Sequence, residues 1–554
     1  MKDHEIEDAV ARVLSGYVSG GTPAPVAPTM TAPAAARPQA GVDALVAKAL
    51  ADLAPARPSS RGCVWETAHE AYPIDDIVGG LVTRAMGERN CSCCKAGECS
   101  LGAGCLEIGD AEAETLGDGI FATMDEAVEA AAEAQRQYLF CSMAARRRFV
   151  EGIREVFRDE ALLARISKLT VQQTGMGNVE HKIIKNRLAA EKTPGVEDLG
   201  TEALSGDDGL TLVELSAYGV IGAITPTTNP TETIICNSIG MLAAGNAAVF
   251  SPHPRARGVS LLTIKLINRK LAALGAPANL VVTVQAPSIE NTNAMMAHPK
   301  VRMLVATGGP AIVKTVLSSG KKAIGAGAGN PPVVVDETAD IPKAAQDIVN
   351  GCSFDNNMPC VAEKEVIAVA EVADFLIAEM RRNGAWLVTD AGLLQKLEAL
   401  VLTQKGGPQT GCVGKSAVWL LSQVGVEVGP DVRVILVETT KDHPFVQEEL
   451  MMPILPLVRV PCVDEAIDLA VELEHGNRHT AVMHSTNVRK LTRMAKLIQT
   501  TIFVKNGPSY AGLGVGGEGY TTFTIAGPTG EGLTSARSFA RRRKCVMVEA
   551  LNVR

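Results

Sequence analysis

From residue 117 onward, apolar positions follow two rhythms. Segments 124–140, 143–158 and 160–174 carry apolar residues three and four apart, the spacing of one helix face. Short β-branched runs then alternate with helical stretches, at 220–225, 247–251, 280–284, 301–307 and 332–336. A second series follows at 365–370, 432–437, 454–460 and 502–504. Strands separated by helices of about 10–15 residues predict parallel βαβ units. The predicted fold class is therefore α/β: two doubly wound α/β domains with a cleft between them.

Before residue 117 the pattern changes. Ile6, Ala9, Val10, Val13, Leu14 and Tyr17 recur at helical spacing, with Asp3, Glu5, Glu7, Asp8 and Arg12 on the other face. Val42, Leu45, Val46, Ala49, Leu50 and Leu53 repeat that register, Lys48 standing where Arg12 stood. Between them, residues 20–40 are rich in Pro, Ala and Thr and too poor in large apolar groups to pack, which reads as a linker. Two readings stand. The helices dock on their own domain, or they are tethered docking helices for a partner's groove, since so short a helix is marginal alone.

Composition narrows the function classes. Lys and Arg number 53 against 61 Asp and Glu, a net charge of -8 that disfavours nucleic acid or an anionic membrane as a general partner. No apolar run reaches the roughly 18 residues of a membrane span. Met1-Lys2-Asp3-His4-Glu5 lacks the basic-then-apolar order of a secretion signal. An odd count of 13 cysteines argues against a disulfide scaffold, so the expected address is cytoplasmic. Five of them, Cys91, Cys93, Cys94, Cys99 and Cys105, fall within fifteen residues. Such a cluster suits zinc or an iron–sulfur cluster, although its spacing fits neither standard pattern well. A redox-active thiol patch or a functionless insert are the alternatives.

Several motifs carry candidate chemistry. Gly512-x-Gly514-x-x-Gly517 has the letters of a dinucleotide fingerprint but not the context, because a strand-like run at 520–525 follows it; it reads as a loop lining a site. Ala306-Thr307-Gly308-Gly309-Pro310 ends a predicted strand and opens a helix, where backbone N–H groups can face a pyrophosphate. Among the cysteines, Cys236 lies in an apolar helix and Cys352 in the run Val349-Asn350-Gly351-Cys352, and both read as core. Cys360 follows Ser353-Phe354-Asp355-Asn356-Asn357-Met358-Pro359, a turn-rich run predicted to present the thiol at a helix start, where the dipole favours thiolate. On spacing alone, a buried structural cysteine is equally acceptable there.

Six motifs in order point further: Ile224-Thr225-Pro226-Thr227-Thr228-Asn229-Pro230, Thr307-Gly308-Gly309, Gly325-Ala326-Gly327-Ala328-Gly329-Asn330-Pro331, the 354–360 run ending in Cys360, Glu448-Glu449-Leu450-Met451-Met452-Pro453, and Phe503-Val504-Lys505-Asn506-Gly507-Pro508. Together they resemble the CoA-acylating branch of the aldehyde dehydrogenase superfamily, nearest the propionaldehyde and acetaldehyde enzymes of bacterial microcompartments. The resemblance covers about 118–554. It implies that Cys360 is the nucleophile, that Asn229 donates to the oxyanion, and that Glu449 holds the nicotinamide ribose. It also assigns Thr225, Pro226, Ser251, His253, Thr307, Gly308, Gly309, Gly325 and Gly327 to binding of NAD and coenzyme A. Hydrolytic relatives start the 325–331 motif with a glutamate that activates water; Gly325 has no such base, so thiol attack on the acyl-enzyme is expected over hydrolysis. Many of those relatives carry lysine where Ser251 stands, which leaves NAD against NADP open. His253 and His443 are either contacts to CoA or phosphate, or structural histidines.

The resemblance sets the expected organisation as well. Residues 1–18 become an encapsulation helix for microcompartment shell proteins, 19–60 a linker with its second amphipathic segment at 42–53, and 61–117 a cysteine-rich insert. Residues 118–325 become the nucleotide-binding domain and 326–525 the catalytic domain, with oligomerisation elements at 209–218 and 526–554. The expected protein is homo-oligomeric and lies in the microcompartment lumen. A hydrolytic aldehyde dehydrogenase and a non-catalytic microcompartment scaffold are the competing readings.

Overall fold

The structure, a computed structural model, describes residues 114–549 and 551–553. The amphipathic segments at 1–18 and 42–53, the linker and the Cys91–Cys105 cluster lie outside the described residues.

Two parallel sheets carry the architecture. The six-stranded sheet runs in the order Ile120–Phe121, Val281–Val284, Ala247–Pro252, Val220–Thr225, Val301–Thr307, Lys322–Ala326. The seven-stranded sheet runs Ala385–Val388, Val434–Thr439, Ile454–Val460, Glu365–Val369, Pro332–Val335, Thr480–His484, Ile502–Lys505. Both are parallel throughout and doubly wound, matching the expected α/β class. The inner strands Val220–Thr225, Ala247–Pro252 and Glu365–Val369 are buried at every position, which is why, apart from end positions such as Ser251 and Glu365, they read as apolar runs rather than as alternation. One apolar core extends through strands of both sheets, from Ile221 and Val249 to Val333 and Val366.

The predicted helices appear as Met124–Tyr138, Met143–Val156 and Glu160–Thr174. Their starts are set by side-chain caps: Thr123 in a capping box with Glu126, then Ser142 and Asp159. Gly175, at φ 70°, closes the third helix with the left-handed residue that glycine adopts without strain.

Four strands of the two parallel sheets escaped the sequence pattern: Ile120–Phe121, Lys322–Ala326, Ala385–Val388 and Thr480–His484. Each is short, and Lys322–Ala326 holds both a lysine and a glycine. The strand expected at 520–525 is not there; only Ile525–Ala526 pairs, with Gly532–Leu533. Before it, the Thr521 N–H donates to Lys192 O and the Thr522 and Thr524 hydroxyls bond Thr534 and Thr307. Those β-branched threonines serve side-chain bonding rather than a ladder.

A third, antiparallel sheet joins Ala540–Val548, Gly209–Ala217 and Glu202–Gly206. Leu204, Val546 and Val548 stand at least 60% exposed on it. No helix among the described residues is long and apolar enough to cross a membrane.

Candidate active site

Cys360 is placed by a strained loop. After the helix Ile341–Ser353 the chain passes through Asp355, Asn356 and Asn357 at φ 50°, 54° and 64°. Left-handed backbone costs a non-glycine residue about 1–2 kcal/mol, least for Asp and Asn. The surroundings offset that cost. Asp355 Oδ1 accepts from Asn178 N at 2.7 Å, and Oδ2 from Lys182 at 3.0 Å and Lys185 at 2.6 Å. Asn356 Nδ2 donates to Gly177 O and Gly414 O, and Asn357 Nδ2 to Cys352 O and Glu363 O. Lys364 Nζ closes the loop onto Asn357 O at 3.1 Å and Oδ1 at 2.6 Å.

No helix starts at Cys360. The thiol sits half-buried in a turn, Ala362 N donating to Pro359 O, and the chain then enters the strand Glu365–Val369. The expected dipole therefore does not act on the sulfur. Burial pushes the thiol up to about 12, the Glu449 carboxylate adds to this, and Lys364, the Cys360 N–H and Lys185 pull against it.

Asn229 precedes Pro230, the first residue of the helix Pro230–Ala243. It is buried; its Nδ2 donates to Thr228 Oγ1 at 3.1 Å and its Oδ1 accepts from Lys185 Nζ at 2.6 Å. Lys182 and Lys185, from the helix Val179–Lys192, form with Glu232 and Asp355 a fully buried group of two cations and two anions. Burial opposes charge on Lys185, but Asp355 and Glu232 outweigh it and hold the ammonium above the usual lysine range. The two lysines likewise outweigh burial at Asp355 and hold its carboxyl below the usual range.

The expected cofactor residues fall at the carboxyl ends of adjacent strands of the six-stranded sheet, where doubly wound folds bind ligands. Thr225 and Pro226 end or follow Val220–Thr225, and the buried Thr225 hydroxyl has no hydrogen-bond partner among the described residues. Ser251 Oγ bonds Thr292 Oγ1 at 2.7 Å, and exposed His253 caps the turn after it. Thr307, Gly308 and Gly309 do link a strand to the helix Pro310–Leu317. The expected donor row is shorter than read: the Gly308 N–H goes to Ala326 O, Pro310 has none, and the Thr307 hydroxyl is bonded to that of Thr524.

Gly325 lies in the strand Lys322–Ala326, where a Cβ would stand 2.7 Å from Val313 Cγ1. Around Gly327 there is open space. Glu449, half-buried, accepts the Gly329 N–H; burial holds its carboxyl above the usual range against Lys364. Gly329 is the junction of three segments, since a Cβ there would meet Cys360 O at 2.8 Å and the His479 ring at 2.9 Å. His443 goes elsewhere, bonded to Glu398 at 2.7 Å and capping Pro444–Gln447, which is the structural reading. The Gly512–Gly517 run turns its carbonyls, not N–H groups, toward Lys192 Nζ, which takes Gly514 O at 2.6 Å. Cys236 and Cys352 are buried core thiols, both pushed up by burial, Cys236 to about 12.

Sequence reasoning missed Lys182, Lys185, Glu232, Asp355, Glu363, Lys364, Glu365 and His479. One signal was available: Glu363-Lys364-Glu365 opens an otherwise apolar strand. Among the described residues no cluster of three or more His, Cys, Asp or Glu is placed to hold a metal ion.

Comparison with known proteins completes the picture. The family model described as aldehyde dehydrogenase family matches residues 114–397. A CoA-propanoylating propanal dehydrogenase of Citrobacter freundii is 50% identical over 449 residues, 81% of this chain and 96% of that one. A solved structure of Rhodopseudomonas palustris propionaldehyde dehydrogenase, with bound CoA and an acylated cysteine, is 76% identical at a TM-score of 0.78 and covers 79% of this chain and 100% of that chain. The propionaldehyde dehydrogenase of a Clostridium phytofermentans fucose-utilisation microcompartment is 52% identical at a TM-score of 0.77, with coverages of 79% and 100%.

Proposed function

Because this chain belongs to the aldehyde dehydrogenase family, we infer that it oxidises a short-chain aldehyde, with NAD and CoA, to acyl-CoA and NADH. Propionaldehyde is the favoured substrate and acetaldehyde the second candidate. The observation that carries the acyl-transfer outcome is position 325: it holds no base, and Val313 closes the space into which one would extend.

Cys360 Sγ, its proton passing to solvent, adds to the aldehyde carbon, giving a thiohemiacetal oxyanion. The oxyanion takes hydrogen bonds from the Asn229 amide and the Cys360 N–H. NAD, when bound, supplies the hydride acceptor, and the unpaired Thr225 hydroxyl beside Ser251 suits a polar ligand in that crevice. A thioester remains on Cys360. The CoA sulfur attacks its carbonyl, and the Cys360 sulfur leaves. Glu449 is the residue for the nicotinamide ribose, with Gly309 and Gly327 leaving the backbone open to the dinucleotide or CoA and Gly308 and Gly325 beside them. The sheet Ala540–Val548 with Gly209–Ala217 is the oligomerisation element, and residues 1–18, with their copy at 42–53, dock on microcompartment shell proteins.

The test measures NADH formation from propionaldehyde and NAD with and without CoA, with acyl-CoA followed by mass spectrometry. Turnover should require CoA and vanish in Cys360→Ala. CoA-independent release of propionate would replace this reading with a hydrolytic enzyme, and no turnover with any short aldehyde would favour the scaffold.

A further inference from the structure

The buried charges beside Asn229 have a direction. Lys185 Nζ donates to Asn229 Oδ1 at 2.6 Å and to Asp355 Oδ2 at 2.6 Å, and pairs with Glu232 Oε1 at 3.1 Å. An ammonium donates and never accepts. The amide therefore has one orientation, with Oδ1 toward Lys185 and Nδ2 away, because a flipped amide would set two donors against each other. Nδ2 gives one hydrogen to Thr228 Oγ1 and carries a second. A cation on the amide oxygen also draws electron density from the nitrogen and makes its N–H groups stronger donors.

The same group joins two loops. Lys182 Nζ donates to the Thr228 carbonyl at 3.1 Å and to Asp355 at 3.0 Å, while Lys185 reaches Asn229 and Asp355. The turn carrying Asn229 is thereby tied to the strained loop carrying Cys360. With Lys182, Lys185, Glu232 and Asp355 all ionised the group is neutral; without Lys185 a net negative charge would lie beside a forming oxyanion.

We propose that Lys185 is a positioning residue for aldehyde oxidation, fixing the orientation of the Asn229 amide and strengthening its donation to the oxyanion, with Asp355 and Glu232 holding the lysine in place. This rests on the reading above, in which Asn229 serves the oxyanion formed on Cys360.

The experiment compares Asn229→Ala, Lys185→Met, the double variant and Lys185→Gln in the full chain, with kcat and the KM for propionaldehyde measured separately. Removing an oxyanion donor lowers kcat by on the order of 100- to 1,000-fold, and Lys185→Met should lower it by on the order of 10- to 100-fold with KM little changed. In the Asn229→Ala background, Lys185→Met should cost less than about threefold, because a residue acting through Asn229 has nothing left to act on. Lys185→Gln, which keeps a neutral donor, should recover part of the loss. Fully additive losses, or a change in KM alone, would overturn the proposal. If Lys185→Met does not fold, Lys185→Gln is read in its place, and failure of both to fold would make the lysine purely structural and also overturn it. Full activity in Asn229→Ala would remove the oxyanion reading and the proposal together; loss there with full activity in Lys185→Met removes the proposal alone.

Discussion

Two sets of buried charge flank Cys360, and they are built differently. On the Asn229 side, Lys182, Lys185, Glu232 and Asp355 pair with one another at 2.6–3.1 Å and balance in sign. On the other side, Glu363, Lys364 and Glu365 follow in sequence on the entry to a central strand. There Glu363 accepts from Ser509 N and Oγ at 2.7 Å each and Lys364 donates to the Asn357 oxygens, but neither oxygen of Glu365 has a hydrogen-bond partner among the described residues. Burying a charge is tolerable when a partner and hydrogen bonds compensate it; otherwise the group gives up its charge. The first set pairs its groups into a rigid frame, with burial lowering Lys182 against the pull of Asp355, whereas the second holds carboxyl groups raised by burial. Burial raises Glu365 well above the usual carboxylate range and Glu363 to about 7.

That contrast can be broken most sharply at Asp355. Asp355→Asn leaves two buried lysines without their shared carboxylate and releases a loop of three left-handed residues. Removing one partner of a buried ion pair typically costs about 3–5 kcal/mol. The melting temperature should fall steeply and turnover should collapse with it. An unchanged melt would mean that the frame is not what holds the Cys360 loop.

A smaller effect is expected at Glu363, with a defined sign. Its folded value lies near 7 against 4.5 for the free group, so the folded state binds the extra proton between those limits. The stabilisation is complete below about pH 4.5 and is lost as pH rises through 7, on the order of 3 kcal/mol at 1.36 kcal/mol per unit. Glu363→Gln should remove that part of the pH dependence. Denaturant melts of both proteins from pH 4.5 to 8 measure it, and parallel curves would show that Glu363 stays ionised in the fold.

Smallest of all should be Glu365→Gln. Burial raises this carboxyl well above the usual range, and an amide of the same shape carries no charge to bury, so stability should shift by less than about 1 kcal/mol and turnover should stay near normal. A loss comparable to Asp355→Asn would place an ionised Glu365 in the fold and erase the distinction between the two sets.

Much of the fold was legible from residue order. Inner strands such as Val220–Thr225, Val301–Thr307 and Ile454–Val460 emerge at their predicted bounds, because a strand buried on both faces is apolar at nearly every position, Arg302 and Arg459 being the charged exceptions. Thr480–His484 was missed since five residues holding Thr and His carry too little pattern, although its neighbours bury every position. For the site, the motifs brought Cys360, Asn229, Glu449 and Gly325 forward, yet Lys182, Lys185 and Glu232 read as ordinary polar positions. Nothing in one dimension shows that a lysine at 185 meets an asparagine 44 residues later and an aspartate 170 residues later.

The residue order by itself determined the α/β class, the succession of strands and helices, the resemblance to a family and the absence of a base at position 325. Each depends on local periodicity or on side-chain chemistry at one position. Only the tertiary structure decided that Cys360 leaves a turn rather than opening a helix, that burial pushes its thiol up, and that a compensated buried charge group joins its loop to Asn229. Those outcomes depend on burial and on distances between residues far apart in the chain, which set the local dielectric and the hydrogen-bond partners.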